Sequence, residues 1–322
     1  MLIVLTLVLI AASFPVGAYT LFDTKLSANY SASTPFAGIY FFVGPEVVLA
    51  PISGTFGALF VVLSVIYAAM FVFEAGQGQS VIGAVKGAFS AGFESLFRNN
   101  LLVTVIAIGF LNFTVSVFDL LETSAGVPIG SLSLDPVQFL LTVTIAPLRE
   151  ELGFRVVIIG LLALVACIGT SWRQVARTLW RPSAIYDGRG PDTRDEILLG
   201  VGLAVSSVVF GIAHVTSGSG WEIGKLPEAA YGGVVLGYVY IKYGFPVAVL
   251  VHWGDDYLGT VYAFFGQGAY GIPYNSTSGY LLENIVSVDM FYLLGLLSFL
   301  AVAYIGLKRF TKRPTPEVYQ VS

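Results

Sequence analysis

Apolar residues run along this chain in long, nearly unbroken blocks, with polar residues gathered between them. Blocks long enough to cross a bilayer fall at about residues 2–19, 47–73, 101–121, 137–169, 197–215, 228–243, 245–264 and 288–307. A backbone in hydrocarbon must bond to itself, so the pattern predicts an all-α, polytopic membrane protein of about eight transmembrane helices. No tandem repeat, low-complexity tract or soluble domain interrupts it.

Composition agrees. The chain is 56% hydrophobic and 11% charged, with a mean hydropathy of +0.82, where a soluble domain carries about a quarter charged residues. A net charge of −4 without a clustered basic face gives no support for nucleic-acid binding. Cys167 is the single cysteine, so no internal disulfide forms; in "LLALVACIG" it reads as a packing residue.

Orientation follows from lysine and arginine in short loops. The segment 171–195 holds Arg173, Arg177, Arg181, Arg189 and Arg194, and the tail holds Lys308, Arg309, Lys312 and Arg313. Both are expected in the cytoplasm, with Lys86 and Arg98, which makes this a multi-pass cell-membrane protein with a cytoplasmic C-terminus. Sequons at Asn29 and Asn275 then fall outside. The first block reads either as a cleaved signal ending near "VGA" or as a retained anchor; the missing basic n-region favours the anchor.

Ionisable groups inside apolar blocks need a reason. In "APLREELGFRVVIIG" (146–160), Arg149, Glu150, Glu151 and Arg155 fall within seven residues. Both histidines of the chain, His214 and His252, also lie in apolar surroundings. Glu151 and Arg155, Phe210 and His214, and His252 and Asp256 are each four apart, and such pairs share a helix face. Arg155 can therefore neutralise Glu151, leaving Glu150, about 100° around the axis, to face something else. His252 and Asp256 would line one side of a cavity. An ion pair that merely makes the span insertable is the plain alternative for Glu151 and Arg155.

With these residues the chain resembles the CPBP family, the CAAX-protease and bacteriocin-processing intramembrane endopeptidases. "EELGFR" (150–155) is similar to its EExxxR motif, "FGIAH" (210–214) to FxxxH and "HWGDD" (252–256) to HxxxN or HxxxD. The resemblance covers about 137–265, and the arginine-rich 171–195 reads as a polar insertion in it. Flanking it are a motif-free helical region at 1–130, a C-terminal helix at 286–308 and a cytoplasmic tail at 309–322.

The resemblance implies peptide hydrolysis. Glu150 with His214 would activate a water, His252 with Asp256 would stabilise the oxyanion, and Glu151 paired to Arg155 would hold the first helix. Asparagine often stands where this chain has Asp256, and an ionised aspartate only accepts hydrogen bonds. Asp256 would then donate only if protonated, or would orient a protonated His252. Asp255, at i+3 from His252, is less favoured. Glu150, His214, His252 and Asp256 also make a set zinc accepts; family members are described both as metal-dependent and as glutamate-dependent, and the metal-free reading is preferred, with zinc as the alternative cofactor.

The expected partners are the bilayer and a protein or peptide substrate, lipidated or not, and no nucleic acid. A proton- or ion-coupled transporter is the competing class, since buried Glu, His and Asp make a relay; a non-catalytic scaffold or immunity factor is another. "GVVLG" (Gly233 to Gly237) offers a small-residue face for internal packing or for a dimer. One tension stands. Glu150 lies about 20 Å of helix below the outer end of its block, whereas His252 begins seven residues past the "YGFP" turn. Because 228–243 is short for a crossing, a turn within the bilayer would bring the three motifs level. An inverted orientation is the other way to reconcile them, so the sequence leaves open the depth of the site and the side to which it opens.

Overall fold

The computed structural model describes residues 2–22, 26–27, 29–41, 47–187, 190, 192–271 and 290–311. Each predicted apolar block contains a helix. These are α1 (Leu2–Phe22), α2 (Phe56–Ala75), α4 (Asn100–Ser124), α5 (Pro136–Glu150), α8 (Thr193–Thr216), α9 (Lys225–Tyr243), α10 (Phe245–Tyr270) and α11 (Met290–Thr311). Shorter helices lie between them: α3 (Val81–Ser90), α6 (Leu161–Ala163) and α7 (Trp172–Trp180), the last inside the arginine-rich segment.

The fold is predominantly helical, and all-α needs correcting. Strands β1 (Pro35–Phe41) and β2 (Val47–Thr55) pair antiparallel, with Pro35 opposite Thr55 and Phe41 opposite Val47. The block expected at 47–73 therefore starts its helix only at Phe56, where Thr55 accepts from Ala58 N–H at 3.3 Å. Pro51 and Gly54 interrupt the apolar run that precedes it.

The number of spans also needs correcting. Among the described residues four helices are long and apolar enough to cross a membrane, judged by length and composition: α1, α2, α4 and α8. They present faces such as Val61, Val65, Leu120 and Val201 outward. The expected eight fall to four because α5 is only 15 residues long, α11 counts among the shorter apolar helices over Tyr292–Lys308, and polar and ionisable residues dilute α9 and α10. Helix α10 is also wrapped by its neighbours. Val247, Ala248, Val249, Leu250 and Val251 are fully buried, so α10 meets protein where a lone span meets lipid. The chain remains a helical, polytopic membrane protein with several apolar spans.

Trp253 of α10 anchors this wrapping. Its ring stacks on Phe14 at 5.4 Å and on Tyr257 at 4.7 Å, and meets Tyr67 at 5.4 Å and Phe71 at 5.6 Å. Buried phenols find carbonyls on neighbouring helices: Tyr257 donates to Ser13 at 3.1 Å, Tyr262 to Leu9 at 2.7 Å and Tyr67 to Thr144 at 2.6 Å. Gly233 and Gly237 pack inside the molecule. A Cβ on Gly233 would lie 2.8 Å from Ser207 Cα, so α9 and α8 touch closely there. Gly244, at φ +104°, is the only residue between α9 and α10. The sequon at Asn275 and the tail from 312 lie outside the described residues.

Candidate functional site

The first motif stands where α-helix turns into π-helix. Asp135 caps α5, accepting from Val137 N–H at 3.0 Å, and Pro136 follows at the first position. After Glu150 the backbone runs as a π-helix from Glu151 to Gly160, where an unbroken α-helix was expected. A π-turn takes more than four residues, so positions four apart still lie nearly over one another. Glu151 and Arg155 accordingly form an ion pair, 3.2 Å apart and both fully buried. From α8, Ser206 Oγ donates to the Phe154 carbonyl at 2.9 Å, which ties the π-stretch to its neighbour.

Glu151 has a second role that local spacing could not reveal. Its Oε1 accepts from His252 Nδ1 at 2.9 Å, across 101 positions of chain. The other ring nitrogen, Nε2, then faces Asp256 Oδ2 at 3.4 Å and Glu150 Oε2 at 3.8 Å. Three carboxylates thus surround one buried imidazole. His214 is fixed differently: Nδ1 lies 2.8 Å from the carbonyl of Phe210, which can only accept. Nδ1 must carry a proton, so in the neutral ring Nε2 presents a lone pair.

Phe210 sits among these groups. Its ring lies 4.6 Å from His214, 5.8 Å from His252 and 5.0 Å from Phe154, and the Arg155 guanidinium stands 4.3 Å above it. The motif phenylalanine therefore packs against Arg155 and both imidazoles.

A cavity of about 590 Å³ takes in Glu150, His214, His252, Asp255 and Asp256 together. Of the six predicted site residues, Glu150, His214, His252 and Asp256 line it; Glu151 and Arg155 do not, and reach it through His252 and Phe210. Asp119, Lys225 and Glu228 also line the cavity and were missed, and Asp255, the less favoured carboxylate of the third motif, lines it too. The usable signal was an ionisable residue within or beside an apolar block.

As a zinc set, Glu150, His214, His252 and Asp256 do not close. Among the described residues, one group brings three such donor atoms within 4.8 Å of one another, and it is Asp119, Glu122 and Glu228. That cluster could hold a metal ion, and its all-oxygen donors suit a hard cation better than zinc.

Residues 132–258 match the family model described as Type II CAAX prenyl endopeptidase Rce1-like. The stretch is less than half of the chain and includes all three motifs. The resemblance read from Glu150–Arg155, Phe210–His214 and His252–Asp256 is thereby borne out as a match to a CAAX-type intramembrane protease domain. The searches of curated proteins and of solved structures found no match.

Proposed function

We propose that the protein is an intramembrane endopeptidase that hydrolyses peptide bonds of membrane-associated proteins or peptides. One observation carries the reading: Glu150, His214, His252 and Asp256, from three separate helical segments inside the matched stretch, converge on one cavity. Hydrolysis needs a base for water and donors for the oxyanion, and each has a candidate in place. Glu150 and His214 both line the cavity, and in this reading the two together accept the proton of an attacking water. His252 in its doubly protonated form donates through both nitrogens, Nδ1 to Glu151 and Nε2 toward an oxyanion. Glu151, itself held by Arg155, keeps that ring turned. Asp256, close to Nε2, supports the same proton. No step in this scheme passes through a metal.

A relay for ion transport is less well supported. Along α10, Val247 to Val251 below His252 are apolar and fully buried, so the helix offers no continuing polar path. The deciding experiment is purification of the full chain in detergent and assay against quenched peptide pools. Glu150→Gln keeps the shape and removes the basicity, so cleavage should fall by at least about 100-fold while the protein stays folded. Activity within about threefold of wild type would refute Glu150 as the base.

A further inference from the structure

The cavity opens at one end of the helix bundle, and the basic residues gather at the other. Leu132, Ser217, Ser219 and Trp221, from the loops joining α4 to α5 and α8 to α9, form its mouth. Ser217 and Ser219 are exposed. The two loops are stitched together, Glu222 N–H donating to Ile129 at 2.8 Å and Ser131 N–H to Gly220 at 3.2 Å. Charge at this end is mostly acidic: Asp119, Glu122, Glu222 and Glu228, with Lys225 bound to Glu228.

At the opposite end, Tyr240 donates to the Leu179 carbonyl at 2.6 Å, holding the arginine-rich segment against the last turn of α9. Lys308 pairs with Glu94 at 2.7 Å, bringing the end of α11 to the segment between α3 and α4. Asn99, fully buried, donates to Ala75 at 3.1 Å and to Gln79 at 2.8 Å, closing α2 onto α4. Arg98, Arg173, Arg177, Arg181, Lys242 and Lys308 therefore share one face. Excess lysine and arginine in short loops mark the cytoplasmic side of a membrane protein.

Resting on the endopeptidase reading, we infer that the site opens away from the cytoplasm. Its substrates are then polypeptide segments presented from the non-cytoplasmic leaflet or beyond it, and not lipidated C-termini displayed in the cytoplasm. The His214 end of α8 and the start of α9 form the entrance, and the arginine-rich segment lies behind the site.

Two readouts test this separately. Cys167 is buried against Thr178, which keeps background labelling low. In intact cells expressing the full chain, a membrane-impermeant maleimide should label Ser219→Cys about as fully as in detergent, and Arg173→Cys at least about tenfold less than in detergent. The reverse pattern overturns the inference, whatever the protein's activity, and Glu150→Gln in the same backgrounds should leave the labelling unchanged. The second readout is cleavage of an impermeant quenched peptide pool. Intact cells should cleave it and sealed inside-out vesicles should not. Cleavage restricted to the vesicles overturns the sidedness, whereas no cleavage even in detergent overturns the endopeptidase reading and leaves the labelling to judge orientation.

Discussion

At the scale of single residues, the structure divides the two glutamates of the first motif. Glu150 faces the cavity, and Glu151 lies behind it with Arg155 and His252 as partners. The Glu151–Arg155 half was legible in the sequence, because spacing reports faces of one helix. The bond to His252 was not, because no local pattern encodes a contact between distant segments. Removing one member of a fully buried pair typically costs about 3–5 kcal/mol. Arg155→Leu should therefore lower the folded yield sharply, and Glu151→Gln added to it should restore part of the loss. If the double variant is no better in a thermal unfolding assay, the two side chains are not energetic partners. Asp256 offers a second test at this scale. In the metal-free reading, Asp256→Asn retains cleavage with a weaker dependence on pH, since an amide donates without needing a proton. Cleavage by wild type should also persist in chelator. Loss of bound zinc and of turnover together in the variant would favour a metal at the motif residues instead.

At the scale of elements, the π-helix is the feature that hydrophobic spacing concealed. Its apolar residues fit an α-helix nearly as well, so periodicity could not separate the two. The hairpin of β1 and β2 was hidden for a related reason: a short apolar run reads as strand or as helix, and here it adjoined a true helix. What fixes the π-stretch from outside is Ser206, which donates to Phe154. Ser206→Ala removes this buried hydrogen bond, a loss of about 0.5–1.5 kcal/mol. If the bond positions the motif, Ser206→Ala should lower kcat more than it raises KM, and Ser206→Thr should recover most of the rate. A fall in thermal stability with kcat unchanged would assign Ser206 to packing alone. Gly233 makes a second element-scale case. Gly233→Val drives a side chain into the Ser207 backbone, so α8 and α9 must part and His214 must move with them. Activity and melting temperature should fall together.

At the scale of the whole molecule, α10 lies inside a ring of helices whose outer faces are apolar. Sequence gave its position and its chemistry, since His252 and Asp256 stood out in an apolar block. It could not say that the helix would be wrapped, because burial by protein and burial by lipid favour the same residues. Wrapping has a consequence for how the protein is made. A segment carrying His252, Asp255 and Asp256 is a poor solitary passenger for the insertion machinery, since an acidic residue at the centre of a span costs about 2.5–3.5 kcal/mol. The one-glycine turn at Gly244 leaves α9 and α10 little choice but to enter as a hairpin. Even that hairpin needs the polar groups of α5 and its π-helical continuation beside it. Biogenesis should therefore be ordered: residues 225–271 alone, fused to a glycosylation reporter, should insert inefficiently, and supplying residues 1–224 ahead of them should raise insertion severalfold. Efficient insertion of the isolated hairpin would mean that its charges find shelter without the earlier helices. In this chain the catalytic groups and their shelter would be delivered to the membrane in sequence, shelter first.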